Sequence, residues 1–265
     1  MSGRFPVGDN LLLGRGKVYF DRLNADGNST GERYLGEVSS FEVSGSPETR
    51  DKFTFSEPSS GLLKRAVIRQ SWEFSLEFNE YDPDNLALAL LGEEPADITT
   101  DTTPVAAESL GGTDGVFTDR FYQLANVPVD SGTPIVISNT GGPLTVDVDY
   151  IMDYTLGRVY IVPGGAINDG DTDVTAAYTP LTATRRRVRA GTQALIEGKL
   201  VFIGDNVAGP NYHIEAWRVQ MTPDGALALL SDDYGAPKLK GAVLLDATNH
   251  PDEPYFRQTL IAAIA

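Results

Sequence analysis

Catalysis and metal binding need particular residue types at particular spacings, and those types are scarce in this chain of 265 residues. It has no cysteine, which removes disulfides, thiolate nucleophiles and cysteine-held zinc or iron–sulfur centres. Two histidines, His213 and His250, are too few for a histidine-rich metal site, so a Ser–His–acid triad would have to use one of them. His213 falls in an expected strand beside Glu215, and His250 lies in the loop Asn249-His250-Pro251-Asp252. No Gly-x-Ser-x-Gly elbow accompanies either, and both read as ordinary polar or half-buried side chains. Residues 21–32 run from an acid to a glutamate over twelve positions, the frame of a calcium loop. Leu23, Ala25 and Asp26 stand where such a loop needs two oxygen ligands and a glycine, so a turn between strands is the better reading. Asp169, Asp171 and Asp173 alternate in a glycine-containing turn and could attract a cation weakly; solvated acids are the plainer account. Gly14-Arg15-Gly16 lacks the further glycine and lysine of a phosphate loop and precedes a strand where such a loop precedes a helix. The pair Asp232-Asp233 is unremarkable in so acidic a chain. No nucleophile, base and orienting group come together, so neither an enzyme nor a cofactor or metal is expected.

The elements that would hold such residues are strands. Between residues 68 and 78, Ile68, Trp72, Phe74, Leu76 and Phe78 alternate with Arg69, Ser71, Glu73, Ser75 and Glu77, the period of a half-buried strand. Residues 16–22 and 33–44 read as further strands, the first leading into the turn Asn24-Ala25-Asp26-Gly27-Asn28. Residues 45–64, rich in Ser, Pro and charge but carrying Phe53 and Phe55, are expected as a long functional loop that serves as a contact arm. One helix is marked by Asp82 as its N-cap, Pro83 at the first helical position and Gly92 as its left-handed end. Leu86, Leu88 and Leu90 make it apolar nearly all round, suited to packing on a sheet or a neighbouring subunit.

Charge divides the chain into parts. Acidic residues outnumber basic ones 37 to 21, and residues 96–180, with 12 acids and 2 bases, supply −10 of the net −16. This excess argues against nucleic-acid binding, because a phosphate backbone is repelled. Residues 96–180 are bounded by a polar, proline-containing stretch at 93–104 and by Thr179-Pro180, so they read as an inserted domain, with 1–95 and 181–265 as two parts of its host. Within the insert, expected strands at 120–124, 134–138, 147–152, 158–162 and 173–178 suggest a compact all-β unit. The host resumes with strands at 194–203, 212–221 and 238–245 and ends in a weakly apolar tail. The basic run Arg185, Arg186, Arg187 and Arg189 could touch nucleic acid, but in a net-negative chain ion pairs with acids of a neighbouring subunit are the better reading. No apolar run is long enough for a membrane span, and residues 1–9 hold no stretch suited to a signal peptide, so synthesis in a cytoplasm is expected.

The ordered stretches Leu13-Gly14-Arg15-Gly16-Lys17-Val18-Tyr19-Phe20, Glu32-Arg33-Tyr34-Leu35-Gly36-Glu37-Val38-Ser39-Ser40-Phe41-Glu42-Val43 and the strand ending at Phe78, followed by Asp84-Asn85-Leu86-Ala87-Leu88-Ala89-Leu90-Leu91-Gly92, resemble the tail tube proteins of long-tailed bacteriophages. Later stretches, from Ile196-Glu197-Gly198-Lys199-Leu200 through Ala208-Gly209-Pro210-Asn211 and at Thr222-Pro223-Asp224-Gly225-Ala226-Leu227, complete a similarity over about residues 10–94 and 190–260. The resemblance implies a mainly β chain: a β-sandwich or partly closed barrel with one flanking helix, plus an inserted immunoglobulin-like or other small β domain on the tube exterior. It implies a structural virion protein, made in the bacterial host cytoplasm, whose hexameric rings stack into a tube through which DNA passes without specific binding. Tape-measure, tail-tip and terminator proteins would be its partners, and no membrane is involved. Glu73 and Glu77 are then candidates to line the lumen. Phe53, Phe55, Leu86, Leu88, Leu90, Arg185, Arg186 and Arg187 are candidates for contacts between subunits. The competing reading is an acidic two-domain surface adhesin or carbohydrate-binding module using Trp72 and Trp217 as stacking platforms, although both fall on expected apolar strand faces.

Overall fold

The computed structural model describes residues 11–261 apart from 25, 57–59 and 134. The chain divides into two compact units, one built from residues up to Pro95 together with Val188 onward, the other from Ala96–Arg187. Residues 181–187, expected in the host, thus belong to the second unit.

The first unit is one mixed-length antiparallel sheet. Its strands are β1 (Gly16–Arg22), β2 (Arg33–Tyr34), β3 (Val38–Phe53), β4 (Leu62–Phe78), β14 (Ile196–Gly204), β15 (Tyr212–Pro223), β16 (Lys238–Val243) and β17 (Phe256–Leu260). They are ordered β2-β1-β14-β15-β16-β4-β3, with β17 beside the first half of β15. The edges β2 and β3 do not pair, so the sheet is not a closed barrel. Its inner face is nevertheless buried, because the sheet folds over on itself. Phe41 of β3 stacks on Phe74 of β4 at 5.4 Å and on Phe202 of β14 at 5.0 Å. In a flat sheet, four strand spacings of ~4.8 Å would hold β3 and β14 about 19 Å apart. Val18, Phe20, Phe74, Leu76, Leu200, Met221 and Leu239 fill the resulting core.

The helix α1 (Pro83–Ala89) covers part of that core with Leu88 and Ala87. Asp82 caps it by accepting from the Asn85 backbone N–H at 2.6 Å. Its end differs from the expected one: Leu91, with φ 49°, takes the left-handed conformation in place of Gly92. Gly92 is required for another reason, since a Cβ there would stand 2.7 Å from the Arg189 carbonyl. Asn85 is fully buried, and its amide donates to the Leu35 and Glu80 carbonyls at 2.9 and 3.1 Å while its carbonyl accepts from Arg33 at 2.7 Å. One side chain thereby ties the helix to the β2–β3 crossing and to the end of β4.

The second unit holds β5 (Ala96–Thr99), β6 (Val105–Ser109), β7 (Phe121–Gln123), β8 (Val136–Asn139), β9 (Gly142–Pro143), β10 (Tyr150–Asp153), β11 (Arg158–Ile161), β12 (Thr175–Tyr178) and β13 (Thr184–Arg187). The sheets β10-β11-β7 and β6-β12-β8-β9 share one core, in which Val159 and Ile161 of the first meet Ile137 and Ala176 of the second. A separate ribbon, β5 with β13, occupies part of what the sequence suggested was a linker. Its side chains are nearly all exposed, so no burial pattern announces it. Pro134, at the start of an expected strand, lies outside the described residues.

Where the chain leaves and re-enters the first unit, the two segments are stitched together. The Gly191 N–H donates to the Leu90 carbonyl at 2.8 Å, the Gln193 N–H donates to Leu91 at 2.9 Å, and Arg189 pairs with Glu93 at 3.0 Å. The host therefore closes on itself without help from the insert. Replacing residues 96–187 by a short Gly/Ser linker is expected to leave a soluble chain with a β-rich circular dichroism spectrum and one cooperative melting transition. Separately, Asn85→Ala removes three side-chain hydrogen bonds, one buried and two partly buried, and should lower stability by about 3 kcal/mol, at about 1 kcal/mol per bond, in denaturant titration.

Candidate functional site

The distal part of the β3–β4 hairpin departs most from the rest of the chain. Residues 45–64, expected as a loop, instead continue two long strands whose register runs to Phe53 opposite Leu62. From about Ser46 on β3 and Ser71 on β4 outward, every described strand residue is exposed, so a two-stranded ribbon projects beyond the sheet. Both faces are open, so the sequence has no reason to alternate, and that is why the period of two is missing there. Pro47 is tolerated because β3 is an edge strand and its outward side needs no N–H donor. Ion pairs hold the ribbon: Arg65 grips Asp51 through two bonds of 2.8 Å, and Glu48 stands 3.7 Å from Arg69 and 3.8 Å from Arg50. The guanidinium of Arg65 keeps the Asp51 carboxyl below the usual carboxylate range.

The ribbon presents apolar side chains that none of the described residues covers. Phe53, Leu62, Leu63, Val67 and Ile68 are exposed, and Phe55 near the tip is 82% exposed, with the Lys52 ammonium 5.0 Å from its ring centre. Ile68 was expected on the core face, but the core-facing run of β4 begins only at Trp72. Of the helix residues proposed as contacts, Leu88 is buried in the core of its own unit and cannot reach a second chain, while Leu86 and Leu90 are half-buried. Arg185, Arg186 and Arg187 lie on β13 of the second unit; the Arg185 guanidinium donates to the Val127 carbonyl at 2.9 Å, and Arg186 faces Asp97 across the ribbon. Glu73 points outward from β4, and Glu77 shares its charge with Lys238 at 3.5 Å.

The other candidate chemistry resolves into structure. The Asp21 carboxylate accepts from the Thr30 and Gly31 N–H groups at 3.0 and 2.9 Å, shaping the turn between β1 and β2. Trp217 does not face the core: it and Arg218 intervene between the inward Ala216 and Val219, where β15 changes partner from β17 to β16. His250 stacks on the Trp217 ring at 3.8 Å, and the Trp217 N–H donates to the Glu253 carbonyl at 2.7 Å, so this indole is packed under a loop. Trp72 meets Phe256 edge-on at 5.1 Å. That contact belongs to β17, which the sequence reads as a weakly apolar tail because only Phe256 of the strand turns inward. Among the described residues no group of three or more His, Asp or Glu side chains is placed to hold a metal ion, and no helix is long and apolar enough to cross a membrane.

In the second unit the aspartates are turn clamps, not idle solvated charges. Asp169 accepts from the N–H and hydroxyl of Thr118, Asp173 from the N–H and hydroxyl of Thr140, and Asp149 from the Thr145 and Ala166 N–H groups. These bonds hold all three carboxyls below the ordinary value of 3.8. Burial, and then a hydrogen bond to Glu108, push Tyr178 up to about 12.

A family model described as "Protein of unknown function UCP028589" matches residues 11–258. No curated protein matches the chain.

Depressed carboxylates contribute stability that is present above their unfolded value and is lost as pH falls through the folded ones. The isolated unit of residues 96–187 should therefore keep its melting temperature from neutrality down to about pH 4 and lose it progressively below. Asp149→Ala should lower the melting temperature at pH 7 and flatten the acid limb, as read by thermal scans across pH.

Proposed function

The chain belongs to the family of that description, and we propose that it is a structural subunit that assembles with copies of itself, in the manner of tail tube proteins: rings of six stacked into a hollow conduit of a virion tail. The observation that carries this reading is the projecting ribbon. A two-stranded ribbon alone in water is marginal, and six large apolar side chains on it are left uncovered by the described residues. A partner that buries them at about 25 cal/mol per Å² stabilises both the ribbon and the assembly. The open sheet supports the same reading, since β2 and the outer edge of β3 leave backbone groups free to pair with another chain.

In this assembly DNA would pass along a wall that does not hold it, which suits a chain with a net charge of −16. Glu73 is the better candidate for that wall, because Glu77 is partly neutralised by Lys238. The second unit would sit outside the tube, where like charges are screened, and the tape-measure, tail-tip and terminator proteins would meet the ends of the stack. The tryptophans offer less to the adhesin reading, with Trp217 under His250 and Trp72 against Phe256.

Negative-stain microscopy of the concentrated protein should show rings or tubes about ten nanometres across, the scale of six such domains around a hole. Phe53→Ser with Leu62→Ser and Leu63→Ser should change monomer stability by about 0.5 kcal/mol or less per site yet abolish the rings. A strictly monomeric wild-type chain in native mass spectrometry at high concentration would refute the proposal.

A further inference from the structure

We infer that the ribbon of one copy docks on the β15–β16 connection of another copy, so that surfaces at the two ends of β4 carry the two halves of one contact. The inference rests on the self-assembling reading above and adds the receiving surface. That connection, residues 224–237, is held at its shoulders: the Tyr81 hydroxyl donates to the Ala228 carbonyl at 3.0 Å, and the Asn79 amide donates to the Gly235 carbonyl at 3.3 Å. Gly235 is packed so closely that a Cβ there would meet the Tyr81 hydroxyl at 1.9 Å. Between the shoulders the loop presents Leu229, 74% exposed, and Leu230 and Tyr234, each 97% exposed. A tethered loop that keeps three large apolar side chains in water is built as a contact surface.

Charge identifies what covers it. Residues 224–237 contain Asp224, Asp232 and Asp233 and no lysine or arginine. Asp224 is engaged by Lys240 at 3.3 Å, so the tip carries Asp232 and Asp233 beside Tyr234. The ribbon, residues 46–71, has the opposite balance, with Arg50, Lys52, Lys64, Arg65 and Arg69 against Glu48, Asp51 and Glu57, in a chain that is strongly acidic elsewhere. An apolar, cation-rich ribbon and an apolar, acidic loop are complementary, and like-charged pairing of ribbon with ribbon or loop with loop is disfavoured.

Geometry requires the two partners to come from different copies. Lys238, the residue after the loop, pairs with Glu77 of β4, whereas the ribbon ends at Leu62 of the same strand. Fifteen residues at ~3.3 Å each put about 50 Å between them, so a ribbon cannot bend back onto its own loop. A contact between unlike surfaces at opposite ends is heterologous and repeats head to tail along the strand direction.

The chain is free of cysteine, which makes the test unambiguous. Full-length Phe55→Cys and Tyr234→Cys variants, one carrying a tag, are mixed and treated with a short bismaleimide. The expected product is the mixed dimer, in about tenfold excess over either homodimer. Adding Asp232→Lys and Asp233→Lys to the Tyr234→Cys chain should reduce its yield about tenfold, as expected for about 1.4 kcal/mol. Lys52→Glu with Lys64→Glu on the other chain, which face each other next to Phe55 and leave the ribbon's own ion pairs intact, should restore it. Homodimers in preference to the mixed species, or no cross-link while the wild-type protein forms tubes, would overturn this docking and leave the structural-subunit reading intact. No cross-link together with a wild-type protein that stays monomeric under the microscope would overturn both.

Discussion

Among the described residues, the first unit buries one face of a large sheet with only a two-turn helix to cover it, and its other features follow from that. A sheet with no second layer can exclude water only by closing or by folding over. Here it folds, and Phe41 stands at the crease, stacked on Phe74 from its own hairpin and on Phe202 from the far side. Aromatic pairs at such distances contribute about 0.5–1.5 kcal/mol each beyond area burial. Because the fold is made by side chains and not by pairing β2 to β3, both edges stay open. Asn85 plays the corresponding polar part, satisfying carbonyls that the crossing at Leu35 and the turn at Glu80 would otherwise bury unpaired.

How much of this could be read from the residues follows from where burial is one-sided. The strand at residues 16–22 coincides with β1, because Val18 and Phe20 turn inward on either side of the half-buried Tyr19, and Asp82-Pro83 gives the helix start because capping chemistry is local. The ribbon escaped because neither of its faces is buried, so it carries the mixed composition of a loop. Trp217 was placed on the wrong face because the partner change in β15 inserts an extra residue between Ala216 and Val219, and nothing in the local sequence marks it. Thr184–Arg187 pairs with Ala96–Thr99 across more than eighty residues, a contact between two exposed segments that no periodicity reveals. Of the candidate site, Phe53 and Phe55 were found from apolar residues in a polar setting. Leu229, Leu230 and Tyr234 carry the same signal, but a short run of apolar residues outside any strand period is equally what a buried turn would show, so their exposure is visible only in the structure.

The acidity of the second unit has a local meaning. Sequence counting treats its aspartates as a field that repels phosphate, yet Asp149, Asp169 and Asp173 each hold turn donors at short range. Short strands joined by many turns need acceptors for turn N–H groups, and aspartate supplies them without bulk. The same residues thus serve local geometry and, through their sum, solubility.

The stitching of residues 90–93 to 189–193 bears on the order in which the chain acquires structure. Closing a disordered span of about a hundred residues costs roughly (3/2)RT ln n, and replacing it by a span of about four lowers that cost by about 3 kcal/mol. The second unit makes that replacement once it has folded, because Ala96 and Arg187, its first and last residues, are already opposite each other in β5 and β13. An insert whose ends meet converts a remote closure into a local one, so the host, whose C-terminal strands emerge last, would find its two halves already delivered side by side.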